Sequence, residues 1–178
     1  MRLFYAIRPS EECLGKLWEA SGALRGQVER GSFTRRENLH LTVLFLGETE
    51  HREKAEACLH EIMLAPFELC FASLGRFRRG EGDLLWAGVK ADPVVQQLYN
   101  DLSARLRKAG FQVEARPYVP HLTLARRVRF AAGTEFATLE KHVQPCCMQA
   151  DALLLMRSHR VEGQLRYTEL ARQDLRPR

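Results

Sequence analysis

No stretch of this 178-residue chain stays apolar for anything near the roughly 20 residues that a membrane-spanning helix needs, so no association with a membrane is expected. The opening Met1-Arg2-Leu3-Phe4-Tyr5-Ala6-Ile7-Arg8 meets charge too soon to read as a secretory signal. No linker-like run divides the chain. The five cysteines are odd in number, lack Cys-x-x-Cys spacing and include the adjacent Cys146 and Cys147. That pattern indicates neither a disulfide framework nor a structural zinc site, and it fits reduced thiols in a cytoplasmic protein.

What is present suffices for a full core. With 46% hydrophobic residues, the length favours one domain over residues 1–178, or two intimately packed lobes within it. The formal charge of +5 and pI near 9.1 permit a polyanionic partner. However, 22 acidic residues spread through the same sequence dilute any single basic field.

One short pattern occurs twice. Asn38-Leu39-His40-Leu41-Thr42-Val43 is answered 81 positions later by Pro120-His121-Leu122-Thr123-Leu124. Average usage gives an accidental His-x-Thr in roughly one chain of this length in five, so a single copy says little. Two copies, each with a central leucine and apolar residues following, arise by accident at a rate on the order of a per cent. Residues two apart on a strand point to the same face, so each copy sets an imidazole beside a hydroxyl. A spacing of nearly half the chain is expected if two similar lobes each give one such strand to a central cleft.

The flanking sequence supports that arrangement. Leu3–Ile7 reads as a buried strand, and Pro9-Ser10 opens a helix with Leu14, Leu17, Trp18, Leu24 and Val28 at roughly helical spacing. Leu39–Leu46 is a second strand ending at Gly47, followed by a helix with Ala55, Cys58, Leu59, Ile62 and Met63 on one face. Strands are expected at Phe67–Leu74 and Leu84–Val89, around a Gly- and Arg-rich turn from Gly75 to Gly82. Asp92-Pro93 then supplies an N-cap and a first-turn proline to a helix with Val95, Leu98, Tyr99, Leu102, Leu106 and Ala109 as its stripe and Gly110 as its terminator. After Arg129 come a polar, weakly helical stretch, strands at about Cys146–Arg157 and Leu165–Ala171, and a basic tail expected to fray. The element order argues for an α+β protein with mixed sheets.

Two histidines flanking a phosphate suit phosphoryl transfer without a metal, because imidazole titrates closest to neutrality. One takes a proton from the attacking water while the other gives one to the departing oxygen, each step being worth roughly 10²- to 10⁴-fold. Thr42 and Thr123 would hold non-bridging oxygens, and Arg126 would balance charge in the transition state. A ribose 2′,3′-cyclic phosphate suits this chemistry, since its strained ring opens by attack of one water. No carboxylate cluster near either motif would hold magnesium. Two histidines also fall short of the three protein ligands usual for catalytic zinc. No metal or other cofactor is expected.

At these residues the sequence resembles the two-histidine phosphoesterase superfamily, in particular the bacterial RNA 2′,3′-cyclic phosphodiesterases once called 2′-5′ RNA ligases. The resemblance is carried by Arg2-Leu3-Phe4-Tyr5-Ala6-Ile7, by Asn38 through Gly47, by Arg116-Pro117-Tyr118, and by Pro120 through Leu124 with Arg126. Ser158 and Arg166-Tyr167-Thr168 are similar to the family's last strands, whereas Arg127–Thr134 and the surroundings of Cys146-Cys147 match poorly. The resemblance implies a bilobal α+β fold with pseudo-twofold symmetry, two mainly antiparallel sheets around a central cleft and helices outside. It implies catalytic His40 and His121, with Thr42, Thr123 and Arg126 on the phosphate, and metal-free hydrolysis of RNA or nucleoside 2′,3′-cyclic phosphates to 2′-phosphomonoesters. The reverse reaction, 2′-5′ ligation, follows from microscopic reversibility but competes with water at about 55 M. Tyr5 or Phe4 is a candidate for stacking on a base, against the alternative that both pack the first strand into the core. A monomer is expected. Two other readings are a non-catalytic module binding nucleotides or RNA ends, and a phosphodiesterase of the same superfamily acting on another phosphodiester.

Overall fold

A computed structural model describes residues 1–90 and 93–176; the expected cap at Asp92 lies outside them. Nine strands and three α-helices follow one another in the order β1 (Arg2–Ile7), α1 (Glu11–Arg25), β2 (Val28–Phe33), β3 (Leu41–Glu48), α2 (Arg52–His60), β4 (Phe67–Phe77), β5 (Asp83–Val89), α3 (Pro93–Lys108), β6 (His121–Phe130), β7 (Cys146–Ala150), β8 (Ala152–Val161) and β9 (Gln164–Asp174). In space the strands run β7-β4-β5-β6-β3-β1-β8-β9, with β2 also paired to β6. Every pairing among them is antiparallel, where element order alone had suggested mixed sheets. The long helical connections return the chain to strands that run opposite to their neighbours.

The order is nearly a palindrome. β3 and β6 meet at the centre through one bridged pair, Leu41 with Leu122, which are the middle residues of the two His-Leu-Thr copies. On either side lie β1 and β5, then β8 and β4, then β9 and β7. Two antiparallel halves are thus joined at a narrow seam. Each crossing helix packs toward the other half: α1 touches β6 and β7, and α3 touches β3 and α2. One continuous apolar cluster results, with Leu3, Tyr5 and Ile7 of β1, Leu17 and Leu24 of α1, Leu41 and Val43 of β3, Leu69 and Phe71 of β4, Leu98 and Leu102 of α3 and Leu122 of β6 all buried.

Helix ends follow local chemistry. The Ser10 hydroxyl accepts from the Cys13 amide at 3.3 Å and caps α1. Gly110 takes φ +91° just past α3, as its place after the apolar stripe requires. Departures from expectation are also local. Val28 leaves the α1 stripe to start β2, and Trp18 is 38% exposed. Met63 lies beyond α2 and is 53% exposed, whereas Ile62 is buried as expected. β4 continues through Gly75 to Phe77, and the span from Cys146 divides into β7 and β8. The end is held rather than frayed up to Leu175, whose amide donates to the Asp151 carbonyl at 2.7 Å. Cys70 and Cys147 face each other across β4 and β7 and form a disulfide. That corrects the expectation of five reduced thiols: 77 positions separate the two cysteines, and only strand pairing brings them together.

Candidate active site

The cleft face of the first half is set by register. Ala6 of β1 stands opposite Thr42 and Phe4 opposite Phe45, so these four share a face with His40. In the second half Gly88 of β5 stands opposite His121 and Trp86 opposite Thr123. The two His-x-Thr pairs therefore flank the seam on one surface, opposite the helix-packed core. The histidines lie close enough that charge on His121 depresses protonation of His40.

Strict alternation would turn Arg126, five residues after His121, away from that surface. A β-bulge restores it. Leu85 and Trp86 are adjacent on β5, yet they pair with Ala125 and Thr123, so β6 carries one extra residue there. Leu124 and Ala125 are both buried, and Arg126 comes back to the cleft side. β3 does the same at the equivalent place. Tyr5 and Ala6 pair with Leu44 and Thr42, Val43 and Leu44 are buried, and Phe45 returns to the cleft. Phe45 and Arg126 are thus counterparts, each five residues beyond its histidine.

Both imidazoles are oriented by the carbonyl two residues earlier. His40 Nδ1–H donates to the Asn38 carbonyl at 2.7 Å, and His121 Nδ1–H donates to that of Val119 at 2.6 Å. A carbonyl only accepts, so in the neutral rings the free electron pair sits on Nε2, on the side away from the backbone. In His40 that nitrogen lies 3.0 Å from the Thr42 hydroxyl, which donates to it. Asn38 is itself fixed, its side-chain amide donating to the Leu165 carbonyl at 3.0 Å. A bond across the seam, from the Tyr118 hydroxyl to the Thr42 carbonyl at 3.0 Å, ties the approach to β6 onto β3.

Each ring is also boxed by aromatics. Phe4 and Tyr167 stand 4.9 and 5.0 Å from His40; Phe77 and Trp86 stand 5.1 and 5.9 Å from His121. Trp86 fits only because its neighbours lack side chains. A Cβ at Gly75 would fall 2.1 Å from the indole, and one at Gly88 would fall 2.9 Å from it. Burial pushes the His40 pKa down to about 4, against the Asn38 carbonyl bond, with the charges of Arg126, Arg8 and His121 adding to the fall. Burial lowers His121 too, with Arg126, Arg116 and Arg79 acting in the same direction.

Of the residues expected at the site, His40, Thr42, His121, Thr123 and Arg126 come together. Tyr5 and Phe4 are not available for stacking. Tyr5 is fully buried on the opposite face, its hydroxyl donating to the Ala55 carbonyl at 2.8 Å. Phe4 is 3% exposed, covered by His40, Tyr167 and Phe45. Phe77, Trp86, Tyr167 and Phe45 join the site without having been expected there, and only strand register identifies them. The one trio of metal-type ligands among the described residues, Glu68, Cys70 and Cys147, lies on β4 and β7, and its sulfurs are bonded to each other.

Two pseudo-equivalent antiparallel halves, each presenting His-x-Thr to a shared cleft, define the two-histidine class of fold. Residues 15–162 match the model of the 2′-5′ RNA ligase superfamily, and the chain belongs to that family. It is 33% identical over 129 residues to a protein of Archaeoglobus fulgidus named RNA 2′,3′-cyclic phosphodiesterase, covering 71% of this chain and 72% of that one. A protein of the same name from Escherichia coli is 30% identical over 176 residues, covering 96% and 94%. The match to a Geobacillus stearothermophilus relative spans only 41% of that protein. Among solved structures, one from Thermus thermophilus superposes with a TM-score of 0.80 at 28% identity over 99% of both chains. The E. coli LigT structure superposes with 0.77 at 28% over 98% and 97%, and it has also been solved with 3′-AMP.

Proposed function

We propose that this protein is an RNA 2′,3′-cyclic phosphodiesterase, opening a 2′,3′-cyclic phosphate to a 2′-phosphomonoester by paired-histidine acid–base catalysis in the cytoplasm. The observation that carries the reading is the pair of His-x-Thr strands brought to one surface, each imidazole presenting Nε2. The cyclic phosphate lies between the rings. One neutral histidine removes a proton from water as the water oxygen bonds to phosphorus. The other, protonated, donates to the ribose 3′ oxygen as its bond to phosphorus breaks. Thr42, Thr123 and Arg126 hold the non-bridging oxygens, and Arg126 offsets charge that builds in the transition state. Both rings are biased toward neutrality in the free cleft; the anionic substrate supplies the field that keeps one of them protonated.

No metal is needed for these steps, because the two imidazoles perform both proton transfers. Ligation is the same displacement reversed, with a 5′ hydroxyl in the place of water. The test is hydrolysis of adenosine 2′,3′-cyclic phosphate in EDTA, with the position of the product phosphate read by phosphorus NMR. A 2′-phosphate is expected. A 3′-phosphate, or a strict metal requirement, overturns the proposal.

A further inference from the structure

Beyond Arg126, β6 does not return to ordinary pairing. A second irregularity follows: Asp83 and Leu85, two apart on β5, pair with Val128 and Ala125, three apart on β6. Arg127 sits in it with φ +53°. Val128 is buried beside Ala125 and Leu85, so Arg129 emerges on the cleft side, as Arg126 does. β2 lies along this stretch with Ser32 opposite Arg126 and Arg30 opposite Arg129. Two arginines thus face each other directly across a strand pair, an arrangement that destabilises an unliganded sheet.

The β4–β5 hairpin closes the other side. Its tip is pressed against β6, where a Cβ at Gly82 would fall 2.7 Å from the Arg127 backbone. Between hairpin and strand runs an open groove of about 370 Å³, lined by Arg79, Arg129, Phe130 and Val128 together with Glu29 and Asp83. Asp83 is already paired with Arg76 at 3.1 Å. Arg79 lines the groove, and its charge acts on both His121 and Arg126. Among the described residues none of Arg30, Arg79, Arg127 and Arg129 has an ion-pair partner. In the other half the position matching Arg129 is Glu48, beside the N-terminal amine at 3.4 Å. The row of Arg126, Arg129 and Arg30 is therefore not repeated in the other half, where Arg2 stands over the Phe45 ring.

We propose that Arg126, Arg129 and Arg30, with Arg79 on the hairpin, form a track for the phosphodiester backbone of single-stranded RNA whose cyclised 3′ end lies between His40 and His121. The preferred substrate is then an oligoribonucleotide rather than a free nucleoside cyclic phosphate. This rests on the cleft being the phosphodiesterase site proposed above. Arginine forks match phosphate oxygens, and consecutive phosphates relieve the Arg30–Arg129 opposition that the protein alone leaves uncompensated.

The test compares kcat/KM on adenosine 2′,3′-cyclic phosphate with that on an oligoribonucleotide of about ten nucleotides ending in the same group. Replacing both Arg30→Gln and Arg129→Gln is expected to lower the oligonucleotide value about 10-fold and leave the nucleoside value within about twofold. The slope of log affinity against log salt should become shallower by about 0.7 for each phosphate that the variant no longer neutralises. Arg107→Gln, on α3 at the helix-bearing face, should change neither. Equal losses on both substrates, or no loss on either, overturn the track. Fluorescence anisotropy with a 2′-phosphate-ended oligonucleotide decides the matter independently of turnover. If wild type hydrolyses neither substrate, the proposed function falls, while binding weakened about 10-fold in the double variant still supports the track. Unchanged binding overturns it.

Discussion

In the half built around β3, the residue that the strand bulge turns into the cleft after His40 and Thr42 is Phe45, with the Arg2 guanidinium 4.9 Å from its ring centroid. In the half built around β6 the same bulge delivers Arg126; the second irregularity that each strand carries is followed by Glu48 in β3 and by Arg129 in β6. The backbone repeats and the chemistry does not. The common part, a histidine tied to the carbonyl two residues back and a hydroxyl two residues on, is what proton transfer across a phosphate requires from both sides. The differing part is a guanidinium after the second His-x-Thr pair where the first is followed by an aromatic ring.

The largest expected effect tests the common part. His40→Ala and His121→Ala should each lower kcat on a 2′,3′-cyclic phosphate by about 10²- to 10⁴-fold, and the double variant should fall little further, because the pair acts as one unit. A variant of either histidine with wild-type turnover would remove that half from the chemistry.

The edge strands differ as sharply as the cleft. β9 is joined to β8 by a two-residue turn, Glu162-Gly163, with φ +50° and +76°, the geometry that suits a tight hairpin. β7, its counterpart, has only five residues and is far from β4 in sequence; the Cys70–Cys147 bond fastens it. By loop-closure entropy that bond contributes at most about 4.5 kcal/mol. Urea unfolding of the Cys70→Ser, Cys147→Ser variant should show a loss toward that size. An unchanged midpoint would mean that strand pairing alone holds β7.

The counterpart positions give the next effect. Arg126→Ala should cost about 100-fold in kcat/KM, the order found when one preorganised charge-stabilising donor is lost. Arg126→Lys should recover little, since an ammonium lacks the planar fork. Phe45→Ala should cost less than about 10-fold. Equal losses at the two positions would erase the distinction between the halves.

How much of this the sequence carries depends on whether the signal is local. The two His-Leu-Thr strands declare their faces because Leu41 and Leu122 alternate with polar neighbours, and the stripe and terminal glycine of α3 are equally plain. β2 is invisible: Val-Glu-Arg-Gly-Ser-Phe alternates poorly, and it becomes a strand because β6 offers it an unpaired edge. The position of Arg126 is legible without its cause, since alternation alone would turn it away and the bulge depends on how β5 pairs. Tyr5 and Phe4 read alike as aromatic neighbours, yet each is committed elsewhere, Tyr5 to the core and Phe4 beneath His40. The partner of Cys70 is settled only when β7 docks on β4. Facts of register between distant strands leave no mark in a local window.

The smallest expected effect concerns protons and separates the histidines from each other. The His40 pKa is held at about 4 where an unfolded chain has about 6.5, so between those values the unfolded state binds more protons than the folded one. Stability therefore rises with pH across that window and is lost as pH falls through it. The loss should be on the order of 2 kcal/mol, smaller than full conversion of the shift because His40 keeps some solvent contact. His121 is shifted in the same direction, so its contribution has the same sign. Thermal unfolding between about pH 4 and 7 should show this slope, and His40→Gln should flatten it more than His121→Gln does. A nucleoside 2′-phosphate bound between the rings opposes the desolvation, so binding near about pH 6 should take up protons, measurable by calorimetry in buffers of different ionisation enthalpy. Binding without proton uptake, together with a stability curve unchanged by His40→Gln, would show that the two rings are not held neutral by the cleft.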